Sequence, residues 1–172
     1  MTTQKDTAMP QAALSSLAAQ AVAALTAHGL TVATAESCTG GLIAAALTDV
    51  AGASRVFGTG VVSYSCDCKM KLLGVSAATL DAEGAVCAAT AAQMAEGVRR
   101  VGDAAIGVSV TGEAGPIAAE NHPVGTVFIG LSDEQGTVTE EHHFAGDRAA
   151  IRRQAATAVL SLLVRRLEGS LC

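Results

Sequence analysis

Residues 31–47 read TVATAESCTGGLIAAAL, and how this stretch is read decides the fold. An apolar, β-prone run ends at Ala35. Five small or polar residues follow, Glu36 to Gly40, and then Gly41 opens an apolar pattern of helical period. Strand, tight turn and helix in that order form the repeating unit of an α/β sheet, and ligands collect at such turns, beyond the carboxyl ends of the strands. Ser37 and Cys38 stand side by side in the turn as candidate nucleophiles. Gly40 and Gly41 let a ligand approach the backbone, and the free N–H groups of a helix start can hold a phosphate or a developing oxyanion. Thr39 reads as the cap of the following helix. A capped turn packed by glycines explains the same residues, so the stretch alone leaves both readings open.

Working outward, a first helix is expected over about 10–28, with residues 1–9 as a polar flexible tail and 10–172 as a single domain. Leu14, Leu17, Ala18, Ala21, Val22 and Leu25 recur at helical spacing, which fits an amphipathic helix better than an export signal. Strands are expected at 30–35, 58–65, 103–112, 123–132 and 136–144. The third and fourth are apolar on both faces and therefore central; the fifth is polar and alternating, so more exposed. Helices are expected at 39–49, 67–73, 90–100 and 146–167. Ala91, Met94, Ala95 and Val98 give the 90–100 helix one buried face. Ile151, Ala155, Ala158, Val159, Leu162 and Leu163 do so for the last. Strands that alternate with helices, then two consecutive strands before a closing helix, predict a three-layer α/β/α sandwich with a mixed, mostly parallel sheet of about five strands.

Composition narrows the function. The 172 residues are half hydrophobic, carry a formal charge of −5 and include few aromatics. Nucleic-acid binding usually needs a basic face, so no nucleic-acid partner is expected. No apolar run reaches the roughly 18 residues that span a bilayer, so no membrane partner is expected either. Five cysteines at irregular spacing, an odd number, do not make a disulfide scaffold and suit a reducing cytoplasm. The four histidines form no zinc-hydrolase pattern, and no phosphate loop of the G-x-x-x-x-G-K-[ST] type is present.

Two further strand ends carry possible chemistry. After the second strand, SYSCDCK places Tyr64, the chain's one tyrosine, five residues before Lys69. A lysine whose pKa is lowered by burial can take a proton from a serine, and a phenol can relay it. After the third strand, TGEAGP offers Thr111, Gly112 and Gly115.

These blocks, TAESCTGG, VVSYS with Lys69 and LGV, TG-x-AGP, PVGTV and F-x-GDR, resemble the C-terminal domain family of the competence-damage-inducible protein CinA, which includes stand-alone nicotinamide-nucleotide amidases. The likeness runs from about Leu14 to Leu163. It implies hydrolysis of the carboxamide of nicotinamide mononucleotide to nicotinic acid mononucleotide and ammonia, without metal or cofactor, by a protein that self-associates, as a dimer. Ser37 would be the nucleophile and Lys69 the base, assisted by Tyr64. Thr39, Gly40 and Gly41 would form the backbone cradle. Thr111, Gly112, Gly115, Arg148 and Arg152 would contact substrate, the arginines at its phosphate, within the chain or from a neighbouring subunit.

The chain departs from the family around this core. Cys66 stands where the family has asparagine, Cys87-Ala88 replace Ser-Glu, and Glu113 replaces an apolar residue. Glu113 would repel a phosphate if it faced the pocket. A catalytically degenerate relative, binding a nucleotide-like ligand or a protein partner without turnover, is the alternative expectation. A thiol or metal cluster of Cys38, Cys66 and Cys87 is a third.

Overall fold

In the computed structural model, which describes residues 5–169 and side chains from Ala12 onward, five strands form one sheet flanked by helices on both faces. Helix α1 (Lys5–His28) leads to β1 (Val32–Glu36), α2 (Leu42–Thr48), a short 3-10 turn (Ala53–Arg55) and β2 (Phe57–Val62). Then come α3 (Cys66–Leu73), α4 (Ala77–Glu83), α5 (Ala88–Val101), β3 (Ile106–Gly112), β4 (Thr126–Asp133), β5 (Gly136–His143) and α6 (Arg148–Gly169). The spatial order is β2-β1-β3-β4-β5. β1 pairs in parallel with β2 and β3, while β3–β4 and β4–β5 pair antiparallel. Four strands thus point one way and β4 the other, the mixed three-layer fold expected from the sequence.

Each layer follows from which side chains alternate onto which face. Val108 and Val110 of β3, with Val127, Ile129 and Leu131 of β4, face α1, α2 and α6 in the larger core. The opposite face is cut low: Gly107 and Gly130 have no Cβ, and one built there would strike the Ala95 and Ala91 carbonyls of α5. α5 therefore lies close on the sheet, with Ser109 Oγ donating to the Ala91 carbonyl at 2.6 Å.

Some expected boundaries move. α1 begins at Lys5, so residues 5–9 are helix and not tail; residues 1–4, and Cys172, lie outside the described residues. The buried stripe of α6 is wider than expected. Ala156, Leu160, Val164 and Leu167 are buried and Ala158 only partly so, because α6 is packed between α1 and the sheet. The helical turn expected over residues 76–85 and closed by Gly84 is α4, capped by Ser76.

The topology makes one crevice. β1 lies between β2, which follows it in sequence, and β3, reached only after the chain crosses back through α5. Glu36 at the end of β1 pairs with Val62 of β2 and Val110 of β3, so three strand ends open side by side. Crevices of open α/β sheets form where the winding direction switches in this way.

Candidate active site

The turn after β1 is built around a carboxylate. Glu36 is 1% exposed, and its Oε2 accepts from Thr39 Oγ1 (2.7 Å), Gly41 N (2.9 Å) and Ile43 N (3.2 Å). Its Oε1 accepts from Ala44 N at 2.9 Å. The first turn of α2 thus receives from Glu36 the acceptor that an N-cap side chain ordinarily supplies, because Gly41 at the cap has none. The expectation that Thr39 caps α2 is therefore corrected: the helix starts at Leu42, and the Thr39 hydroxyl donates to Glu36. Within this chain the expected backbone cradle of Thr39, Gly40 and Gly41 lies away from the cavity. Gly41 N–H is committed to Glu36 and Gly40 N–H to the Ser37 carbonyl (3.1 Å), and none of the three residues lines the cavity beside the turn.

Ser37 follows Glu36 directly, with its N–H on the Val110 carbonyl of β3 at 3.0 Å. Lys69 comes from the first turn of α3, a helix capped by Ser65, whose side chain accepts from Cys68 N. Its Nζ lies 2.9 Å from Ser37 Oγ and donates to the Ser63 carbonyl at 2.9 Å. Positions 32 residues apart in sequence are joined because the ends of β1 and β2 are neighbours. Lys69 is 1% exposed, and this burial pushes its amine below the ordinary lysine value. A neutral amine can take the proton of Ser37. Cys38, the rival nucleophile, is buried, and that burial pushes its thiol up to about 12, so it stays protonated at neutral pH.

Ser37 and Lys69 open on a cavity of about 290 Å³. Tyr64, Thr111, Gly112, Gly115 and Arg148 also line it. Tyr64 does not sit on the dyad: it is largely exposed, and its hydroxyl accepts from Arg148 Nη2 at 2.8 Å. Arg148 Nη1 donates to the Gly115 carbonyl at 2.7 Å, so its guanidinium bridges the two sides of the mouth. The Thr111 hydroxyl donates to the Ala85 carbonyl at 2.7 Å. Arg152 is not in the cavity wall. Its Nε donates to the Cys38 carbonyl (3.0 Å) and its Nη2 to the Thr39 carbonyl (2.7 Å), a grip on the turn away from the cavity where a phosphate contact within the chain was expected.

The altered residues separate. Glu113 faces the cavity, but it is 4% exposed and each oxygen holds one backbone N–H, of Ala119 (2.9 Å) and Glu120 (2.8 Å). Glu120, unforeseen from the sequence, also lines the cavity and holds the N–H groups of Ala85 (2.9 Å) and Val86 (3.0 Å). Its partners lie some 35 positions away, and no local signal marks them. Glu36 had a signal: it is the one acid in 31–47, beside a glycine-started helix whose amides need an acceptor. Cys66 is exposed at the cavity rim, whereas Cys87 caps α5 by accepting from Thr90 N, outside the cavity wall. The three thiols therefore do not share one pocket, and no group of three or more His, Cys, Asp or Glu placed to hold a metal ion occurs among the described residues.

No helix among the described residues is long and apolar enough to cross a membrane. Comparison with known proteins agrees with the fold. A CinA-like protein of Frankia casuarinae is 50% identical over 139 residues, 81% of this chain and 32% of that protein. One of Geobacter sulfurreducens is 49% identical over 140 residues, 81% of this chain and 34% of that protein. The chain thus spans about a third of the length of these curated relatives. Among solved structures, a CinA superfamily protein of Klebsiella pneumoniae superposes with TM-score 0.88 at 34% identity, covering 91% of this chain and 98% of that one. The competence/damage inducible protein CihA of Agrobacterium tumefaciens does so with TM-score 0.87 at 40% identity, covering 91% and 96%. The family profile described as CinA C-terminal domain matches residues 14–167, and the chain belongs to that family.

Proposed function

We propose that the chain hydrolyses the carboxamide of nicotinamide mononucleotide, giving nicotinic acid mononucleotide and ammonia. The observation that carries this reading is the 2.9 Å approach of buried Lys69 Nζ to Ser37 Oγ at the wall of a cavity. Neutral Lys69 takes the Ser37 proton as Oγ attacks the amide carbon, and the resulting ammonium returns that proton to departing ammonia. Water, activated by the same amine, then cleaves the acyl ester on Ser37. A cavity of about 290 Å³ is at the small end for ligand sites and suits the pyridine ring and its amide. The ribose and phosphate would then lie towards Tyr64 and Arg148 at the mouth. We further propose a dimer, the state that the family resemblance implies, in the reducing cytoplasm that the cysteine content suits, with this nucleotide as its small-molecule partner.

The test is ammonia release from nicotinamide mononucleotide by wild type against Ser37→Ala. Release by wild type alone is expected; equal release by both would sink the reading. One observation favours a second reading, a relative that binds without turnover: the carboxylates of Glu113 and Glu120 both line the cavity, while Arg148 already has two protein partners. Calorimetric binding of the nucleotide with no ammonia released would favour it.

A further inference from the structure

The cavity wall leaves two well-placed ionic groups without a chemical role. Neither Glu36 nor Arg152 lines the cavity. Both act on the short segment that carries Ser37, and on opposite kinds of backbone group. Glu36 collects its donors, three N–H groups and the Thr39 hydroxyl, from 39–44. Arg152, reaching across from α6, donates to the carbonyls of Cys38 and Thr39, the two residues after the nucleophile. An anion holds the amides and a cation holds the carbonyls of one tight turn.

The turn has little else to fix it on the α2 side. Gly40 and Gly41 take the left-handed conformation, with φ of 60° and 100°, which gives the turn its sharpness and no side-chain anchor. Ser37 itself is tied to β3 through its N–H alone, and its carbonyl accepts only from within the turn, from Gly40. Lys69, by contrast, is set by α3 and by the Ser63 carbonyl. The separation of the dyad therefore depends on how firmly the Ser37 side is held. A displacement of about 1 Å at a reacting centre can cost about a hundredfold in rate.

We infer that Glu36 and Arg152 are positioning residues, a paired clamp that holds Ser37 Oγ in proton-transfer contact with Lys69 Nζ. This inference rests on the dyad being the reactive pair, and it assigns Arg152 to the nucleophile and not to a substrate phosphate. A purely structural role would lower stability and leave Ser37 reactivity alone. A phosphate-contact role would weaken ligand binding and leave Ser37 reactivity alone.

A probe that needs no natural substrate separates these. Phenylmethylsulfonyl fluoride sulfonylates an activated serine: the Ser37 Oγ–S bond forms as S–F breaks, the proton passes to Lys69 and fluoride leaves. Labelling would be followed by intact mass for wild type, Arg152→Ala, Arg152→Lys and Glu36→Gln, each checked for folding by its melting curve. Nicotinamide mononucleotide affinity would be measured by calorimetry in a Ser37→Ala background with and without Arg152→Ala. The expected result is labelling slowed about tenfold or more in Arg152→Ala and Glu36→Gln, partial recovery in Arg152→Lys, and nucleotide affinity unchanged within about twofold. Labelling at the wild-type rate in either folded variant overturns the clamp, as does weakened nucleotide binding with unchanged labelling. If Arg152→Ala or Glu36→Gln fails to fold, Arg152→Lys decides, since it keeps the charge but loses the two-pronged contact, and wild-type labelling in it overturns the inference. A wild type that labels at Ser37 but releases no ammonia from the nucleotide ends the amidase reading and leaves the clamp to be judged by the labelling rates. A wild type that does not label at Ser37 overturns both.

Discussion

Two loops close on the same cavity, the turn after β1 and the 113–120 loop after β3, and each hangs on a buried glutamate. Glu36 binds four donors with its back to the cavity, whereas Glu113 binds two backbone amides while lining it. Under the proposed activity, the first glutamate would shape the turn that carries Ser37 without meeting the ligand. The second would shape a wall that the ligand meets, so that its charge would enter recognition as well as folding. Two acids of nearly equal burial thus differ in whether they line the cavity.

The largest expected effect breaks the comparison at its centre. Ser37→Ala or Lys69→Met should each lower ammonia release roughly a thousandfold or more, and the double variant should be little worse, since the pair acts as one unit. Steady-state ammonia assays check this; additive losses would show that the two residues act separately.

Next in size is stability. Glu36→Leu leaves three amides and a hydroxyl without their acceptor and should cost about 3–5 kcal/mol in urea unfolding. Glu113→Leu strands two amides beside an open cavity and should cost about half as much. Equal losses would erase the distinction between the loops.

Lys69 tests the site from the other direction. Its folded-state pKa lies below that of the unfolded chain, so between the two values the unfolded chain holds a proton that the folded chain lacks. Stability then rises with pH across that window, and the full penalty of burying the amine is present below it. Lys69→Met should therefore raise the melting temperature at neutral pH by roughly 3–6 °C, a gain of about 1–2 kcal/mol, and the gain should shrink as pH climbs towards the ordinary lysine range. For the same reason wild-type kcat/KM should rise with pH and level off below that range. A rate still climbing at the ordinary lysine pKa would show that the amine is not depressed.

The smallest effect concerns the wall. Glu113→Gln removes a charge that faces the ligand and should tighten nicotinamide mononucleotide binding roughly two- to fivefold by calorimetry, less at high salt. Weaker binding would mean that Glu113 matters only as a loop support.

Much of this was legible locally. The alternation of strand and helix periods, the doubly apolar β3 and β4, and the exposed β5 follow from side-chain patterning, because a buried face must be apolar wherever it lies in the chain. Ser37 and Lys69 were visible as residue types at strand ends. Less legible were contacts whose two halves are far apart. Thr39 looked like a cap because local rules place one there, and the cavity-facing role given to Arg152 rested on resemblance. The folded chain brings Glu36 onto the amides of α2 and Arg152 onto the carbonyls beyond Ser37, and it turns Tyr64 towards Arg148 instead of the dyad.

By itself, then, the sequence determined the layers, the strand ends and the candidate residues that stand at them, since periodicity and residue chemistry are properties of short segments; the pairing of Ser37 with Lys69 came from the family resemblance. Which acid faces the cavity, which arginine grips the turn and which lysine nitrogen reaches a serine 32 positions away were decided only by the tertiary structure. Those facts depend on directions and distances of a few ångströms, set where β1, β2 and β3 end together and α6 crosses behind them.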